Sequence, residues 1–422
     1  MSTKFKEIFF CPAPWNNVFY SNNNPAPCTI IRQSQEMTTE EWHNSELLKS
    51  IKTDLLQGKV PSTCTECKLK EDLGLKSMRA SMWGWDNLSQ EPIYENMSWY
   101  GKLNIDTPQN PRRIEVRFSN LCNMKCRHCD ELSSSLWAKE KIEHQHDIDS
   151  IEFRSQGHKD LYFSKESDGI IKPVNSVVES IFNLAKNASN LEKISFTGGE
   201  PFLIKEYYNF LDLLIKNKIN ENIDIELFTN CSVLNPKFTK RLEKFPKVIF
   251  NMSVDGVGKT AEYIRHKTDW NTVEKNILHF NSLGGVFSPC VNIAISSYTL
   301  LDMSNFATFL MKLYEDNNDI STKGYYCHGP EVANFRNLPQ HLRLKAIDEI
   351  DKAIEIIIVP NYDSLINELS RIKFILQTEE AKYPDHFIKR TRYLDSIRNE
   401  KFEDVFRINL EPEINPATIT ME

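Results

Sequence analysis

Between residues 111 and 330 the apolar positions of this chain switch repeatedly between two spacings. Short runs that are apolar at every second position, or apolar throughout, predict strands at 114–118, 191–197, 223–230, 248–256, 290–295 and 324–327. Between them, apolar residues recur with helical spacing at 133–143, 175–188, 207–217, 236–244, 273–283 and 305–314. In 175–188, for example, Val177, Val178, Ile181, Phe182 and Leu184 fall on one face. Strands alternating with helices imply parallel βαβ units, hence an α/β fold of six such units with any chemistry at the C-terminal ends of the strands. The polar, irregular stretch 145–173 interrupts this rhythm and is read as an insertion that includes a short hairpin.

The flanks follow other patterns. Before the alternating units, Asn22-Asn23-Asn24-Pro25-Ala26-Pro27-Cys28 has hairpin turn chemistry, with a second arm beginning near 29–31. A helix is expected over 39–57, capped by Thr38 or Thr39 with Glu40 and Glu41 in its first turn. Residues 77–110, rich in Trp, Tyr and polar side chains, link this segment to the barrel. After it, 340–358, 363–382 and 385–406 read as amphipathic helices whose Ile347, Ile350, Ile354, Leu365, Leu369 and Ile372 form packing stripes. A flexible tail is expected after Glu411. The resulting division is 1–100, 111–330 and 331–422.

Composition narrows the function classes. A net charge of −7 and 40% hydrophobic residues describe an ordinary soluble chain and speak against nucleic acid as a partner. No apolar run reaches the roughly 18 residues needed to cross a bilayer, and no signal-peptide core opens the chain. A cytoplasmic location is therefore expected. In a reducing compartment the ten cysteines point to metal or redox chemistry before disulfides.

Three of them, Cys122, Cys126 and Cys129, stand at C-x3-C-x2-C spacing directly after the first barrel strand. Three thiolates suit three corners of a [4Fe–4S] cube and leave one iron open. A structural zinc knuckle completed by His128 or Asp130, or three buried thiols, would use the same residues. Cys11, Cys28, Cys64 and Cys67 make a tetrathiolate set that fits either a zinc ribbon or an iron–sulfur cluster. Cys231, Cys290 and Cys327 are isolated and read as buried apolar residues, although Cys231 and Cys327 fall near strand ends where a hydrogen donor or crosslink partner would stand.

The cysteine spacing, together with Gly198-Gly199-Glu200-Pro201 at the end of the second strand and Ser253-Val254-Asp255-Gly256 at the end of the fourth, resembles the radical S-adenosylmethionine (radical SAM) superfamily. That resemblance implies a partial, TIM-like (β/α)6 barrel. It implies a [4Fe–4S] cluster on Cys122, Cys126 and Cys129 with SAM at the open iron. Gly198, Gly199, Glu200 and Pro201 would meet the SAM amino group, Ser253 and Asp255 its ribose, and Arg265 its carboxylate. His128 stands where the family has an aromatic beside the adenine, and Asn292 is a further candidate there. The N-terminal segment, with Cys11-Pro12-Ala13-Pro14-Trp15, the hairpin Pro27-Cys28 and Cys64-x2-Cys67, resembles the SPASM/twitch modules that hold an auxiliary iron–sulfur cluster. Its place before the barrel resembles radical SAM proteins with an N-terminal twitch domain, whose helical end the C-terminal extension also resembles. The implied function is reductive cleavage of SAM to a 5′-deoxyadenosyl radical that abstracts hydrogen from a peptide or small metabolite. The implied reductant is a donor such as a flavodoxin or ferredoxin. The alternative is a non-catalytic scaffold that binds zinc or iron.

Overall fold

All six strands expected from the alternating pattern form, side by side and in chain order. The structure, a computed structural model, describes residues 9–31, 35–75, 77–82, 103–144, 168–327 and 330–412. Its strands are β1 (Asn17–Ser21), β2 (Asn24–Ala26), β3 (Arg113–Arg117), β4 (Lys125–Cys126), β5 (Lys193–Phe196), β6 (Asp224–Thr229), β7 (Val248–Ser253), β8 (Arg265–His266), β9 (Phe287–Ile295) and β10 (Ser321–Tyr326). One sheet runs in the order β10-β9-β7-β6-β5-β3-β1-β2. Every pairing in it is parallel except β1 with β2. Its end strands do not pair with each other, so the sheet stays open.

Helices between the strands cover one face with apolar side chains. Asn175–Asn187 buries Val177, Ile181 and Ala185, and Lys205–Lys216 buries Tyr207, Phe210, Leu211 and Leu214. Alternation along β7 sends Phe250 to this face, where its ring lies 4.3 Å from that of Phe280. The opposite face is polar. There Glu226 of β6 accepts from Arg113 at 2.8 Å and from Lys323 at 2.6 Å, while Ser195 donates to it at 2.9 Å. Burial alone would push the Glu226 carboxyl up. Arg113, Lys323 and Lys193 outweigh burial and hold it well below the usual carboxylate range.

The N-terminal segment has its own small core, which includes Trp15, Phe19, Ile51 and Leu55 together with Cys28 and Cys67. It is nevertheless stitched into the large sheet, because β1 pairs with β3 from Asn17↔Arg113 to Ser21↔Arg117. The same segment also reaches the opposite edge. Lys70, on the helix Thr65–Asp72, lies 4.8 Å above the ring of Tyr326 at the end of β10. At the C-terminus, Gln340–Ile356 packs on Met303–Asp316 and Asp363–Thr378 covers β10. Ile350, Leu365, Leu369 and Ile372 are buried as the stripes predicted.

Three local expectations need correction. The hairpin turns earlier than expected, because Asn22 and Asn23 both take positive φ (54° and 73°) and Asn24 already opens the second arm. The helix expected over 39–57 is two, Thr39–His43 behind a Thr38/Glu41 capping box and Glu46–Leu56 behind Ser45, whose hydroxyl caps Leu48. The stretch 385–406 breaks after Pro384–Arg398, where Asn399 turns left-handed (φ 54°). Most of the insertion expected at 145–173, most of the 77–110 link and the tail beyond 412 lie outside the described residues.

Replacing Glu226 by Gln leaves Arg113 and Lys323 without their shared counter-charge, a loss we expect to be about 3–5 kcal/mol at neutral pH. Because the folded carboxyl is held low, its stabilising contribution is complete above the unfolded value of about 4.3 and fades as the pH falls below that. Urea unfolding of wild type and Glu226→Gln should therefore show a gap at pH 7 that narrows below about pH 4. No gap at neutral pH would contradict the network.

Candidate functional site

The cysteine loop leaves the C-terminal end of β3 and is held from several sides. Buried Asn120 donates to the carbonyls of Glu131 (2.8 Å) and Gly169 (2.9 Å) and accepts from Ile171 N–H (2.8 Å). Ser134 donates to Met124 O at 2.6 Å, and the Trp137 indole donates to Cys126 O at 2.6 Å. The short strand β4 pairs with β8, which sets Cys126 opposite Arg265. Cys126 is buried, and Cys122 and Cys129 are partly so. Burial pushes the Cys122 thiol up to about 12 and raises those of Cys126 and Cys129. A cation held among them would favour the thiolate form of all three.

Gly198 and Gly199 follow β5 with φ of +72° and +39°. A Cβ on Gly199 would collide with the carbonyl oxygen of Leu121 and stand 3.0 Å from that of Ser119. A Cβ on Gly198 would collide with the Arg117 side chain. The glycines thus let this turn press against the cysteine loop, and two hydrogen bonds seal the contact: Gly199 N–H to Ser133 O (3.1 Å) and Glu200 N–H to Leu121 O (2.7 Å). Pro201 opens the short turn Pro201–Leu203.

Glu200 is fully buried and looks inward. Its carboxylate accepts from Phe202 N–H (3.2 Å), the Thr229 hydroxyl (2.9 Å) and Asn230 N–H (2.7 Å), which ties the end of β5 to the end of β6. Burial outweighs these donors and pushes its pKa to about 7. The sequence reading missed Asn230. Its side-chain amide lies 3.8 Å from Cys122 Sγ and donates to Asn123 Oδ1 at 3.0 Å. The available signal was its place at the C-terminal end of a barrel strand.

Asp255, Arg265 and His128 meet beside Cys126. Arg265 Nη2 lies 2.6 Å from Asp255 Oδ2, and its Nη1 lies 3.9 Å from Cys126 Sγ. His128 Nε2 lies 3.2 Å from the same Asp255 oxygen, and Asp255 Oδ1 accepts from Ala294 N–H at 2.8 Å. Burial pushes His128 down to about 4 despite Asp255, so its imidazole is neutral at pH 7. Ser253 pairs in register with Asn292 across β7 and β9. Arg265 Nε, His128 Nδ1, Asn292 Oδ1 and Arg117 Nε are buried without a hydrogen-bond partner among the described residues. Orphaned polar atoms at the end of one sheet are what a polar ligand would satisfy.

The other four cysteines also come together. Cys11, Cys28, Cys64 and Cys67 line one small pocket whose other walls include Phe9, Ile31, Met78 and Arg79. Burial raises all four thiols, to about 12 for Cys28 and about 11 for Cys64, and the neighbouring thiols add to the rise at Cys11 and Cys28. No three His, Cys, Asp or Glu side chains among the described residues are drawn in closely enough to grip a metal ion as they stand. What the two cysteine sets share is a loop in one case and a cavity wall in the other. Cys231, Cys290 and Cys327 are buried, as expected of singletons.

Residues 116–295 match the family model of the Radical SAM superfamily. The radical SAM cyclopropyl synthase TigE of Paramaledivibacter caminithermalis is 24% identical over 212 residues, 48% of this chain and 40% of TigE. The GTP 3′,8-cyclase of Clostridium botulinum is 36% identical over 125 residues, 28% of this chain and 36% of the cyclase. The chain thus spans about two fifths of the length of these relatives. Among solved structures, native anSMEcpe with bound AdoMet aligns with a TM-score of 0.38 and 19% identity, covering 58% of this chain and 60% of that one. The domain match leaves both the N-terminal cysteines and the C-terminal helices outside it.

Two glycines separate backbone strain from close approach. Gly258 has φ +56° but open space around its missing Cβ, so Gly258→Ala should cost about 1–2 kcal/mol from conformation alone. Gly199→Ala adds the collision with Leu121. We expect it to unfold at distinctly lower urea and to retain less iron after reconstitution than Gly258→Ala. Equal losses in the two variants would show that the glycine–loop contact is unimportant.

Proposed function

We propose that the chain is a radical SAM enzyme in which Cys122, Cys126 and Cys129 hold a [4Fe–4S] cluster with one iron left for SAM. One observation carries this reading. The three thiols, the Gly198-Gly199 turn pressed onto their loop and the Asp255–Arg265–His128 group share one end of a mostly parallel sheet. When bound, the reduced cluster supplies the electron that cleaves SAM to methionine and a 5′-deoxyadenosyl radical, which takes hydrogen from the substrate.

The chain's own part is orientation and electrostatics. Asn230 and Arg265 place N–H groups near the Cys122 and Cys126 sulfurs, where such groups tune a cluster's potential. The orphaned atoms of Arg265, His128 and Asn292 offer SAM polar contacts. Arg265 is already balanced by Asp255, so the SAM carboxylate would share the guanidinium with that residue. Glu200 acts on SAM through the backbone turn it holds, since its carboxylate is occupied internally.

The gathering of Cys11, Cys28, Cys64 and Cys67 around one pocket supports an auxiliary iron–sulfur cluster in a twitch-like module. Four thiolates would fill its coordination, so its role is to accept or pass an electron. A peptide or small metabolite as substrate, a flavodoxin- or ferredoxin-like donor and a cytoplasmic setting belong to the same proposal and rest on analogy with the family. The rival, a metal-binding scaffold, makes the same use of the cysteines but gives the orphaned polar atoms nothing to do.

Anaerobic reconstitution with dithionite and SAM tests the reading. Wild type should release 5′-deoxyadenosine, and the Cys122→Ala/Cys126→Ala/Cys129→Ala variant should release none while keeping the iron and sulfide of the second site. Wild-type protein with an intact cluster that makes no more than the variant would refute the enzyme. Zinc in place of iron in the variant would refute the auxiliary cluster.

A further inference from the structure

The two residues that flank Cys126 in the chain both enter buried ion clusters that include C-terminal residues. Arg127 is completely buried. Its backbone N–H donates to Ile264 O at 2.7 Å and its Nε to Tyr263 O at 3.0 Å, while the guanidinium stacks 3.6 Å from the Tyr263 ring. Its Nη2 then meets two carboxylates, Asp395 and Glu400, each at 2.6 Å. Neither is spare. Asp395 also accepts from the Tyr263 hydroxyl at 2.8 Å and from Phe402 N–H at 2.9 Å. Glu400 also holds His266 Nδ1 at 2.6 Å, and His266 belongs to β8 beside Arg265. On the other side of Cys126, Lys125 pairs with Glu140, whose second oxygen takes Arg398 at 2.6 Å.

The helix Pro384–Arg398 completes this arrangement with apolar contacts. Leu394 packs on Trp137, and Cys129, Tyr393 and Ile397 pack against the pair. Arg398 lies 4.8 Å above the Trp137 ring, the same indole that donates to Cys126 O. A buried ion cluster is a poor way to gain stability, because well-packed apolar side chains of similar volume do as well or better. What it supplies is direction. Arg127 can satisfy two carboxylates and a carbonyl at once in only one pose, which fixes the backbone between Cys126 and Cys129.

We propose that Arg127 is a positioning residue for the cluster loop, and that residues 384–400, about 90 residues beyond the end of the matched domain, are a working part of the cluster site through Asp395 and Glu400. This rests on the reading of the loop as a cluster site. It extends that reading, because the family match ends at residue 295 and the anchor lies entirely after it. The anchor also sets Arg265, since Glu400 grips the neighbouring His266. One node therefore fixes both the thiol loop and the guanidinium beside Cys126.

The test uses full-length protein, reconstituted and reduced, and follows the cluster signal that changes when SAM is added. Asp395→Asn/Glu400→Gln keeps side-chain volume and removes both charges. Leu369→Ala, in the core beneath β10 and away from the loop, serves as a control that lowers stability without touching the anchor. Outer-shell partners of metal ligands typically affect metal retention by about 10–100-fold, so under a chelator the SAM-responsive signal should decay at least about tenfold faster in the double variant. In Leu369→Ala it should decay at the wild-type rate. A wild-type rate in the double variant, or the same acceleration in both, would overturn the proposal. A wild-type protein with no SAM-responsive cluster would instead overturn the function proposed above, and this inference with it.

Discussion

The contact on which the site depends is backbone against backbone. Glu200 N–H donates to Leu121 O, and a single methyl group on Gly199 would drive that oxygen away. Through this contact the end of β5 fixes the loop that leaves β3. The Glu200 carboxylate passes the constraint to Thr229 and Asn230 at the end of β6, and the Asn230 amide returns it to Asn123 beside Cys122. Three neighbouring strand ends thus define one loop conformation. The parallel sheet explains why they can, since it delivers successive strand ends to the same side.

Among the buried ion pairs, three bear directly on the sheet and the cysteine loop. Glu226 lies between Arg113 and Lys323 on the polar face of the sheet, Asp255 faces Arg265 beside Cys126, and Arg127 faces Asp395 and Glu400 behind the loop. Such pairs add little net stability, but removing one partner leaves a buried charge and is costly. They therefore act as geometric locks. Two of the three flank Cys126, which is consistent with a loop that must hold its thiols in a set arrangement.

Much of the fold was legible because strand and helix periods differ so clearly. The six barrel strands fall within a few residues of where alternation put them, and the named motifs fall at their C-terminal ends. The errors were local and have local causes: Ser45 restarts a helix by capping it, Asn399 ends one by turning left-handed, and Asn22-Asn23 form the turn before the proline-rich stretch is reached. In the site, the cysteines and glycines were visible as spacing. Glu200 was visible as a motif residue, but its inward-facing bonds were not. Arg127 carried no signal at all, because its partners stand 268 and 273 residues further along the chain. A pattern read over a short window has no access to such pairs.

In the proposed function, one iron of a cluster on the cysteine loop is open to SAM. The most direct test is electron–nuclear double resonance on the reduced, reconstituted protein with SAM carrying nitrogen-15 in its amino group. A hyperfine coupling between that nitrogen and the cluster, lost in Cys122→Ala/Cys126→Ala/Cys129→Ala, is the predicted result. A reduced-cluster signal that SAM leaves unchanged, with no nitrogen coupling, would contradict it.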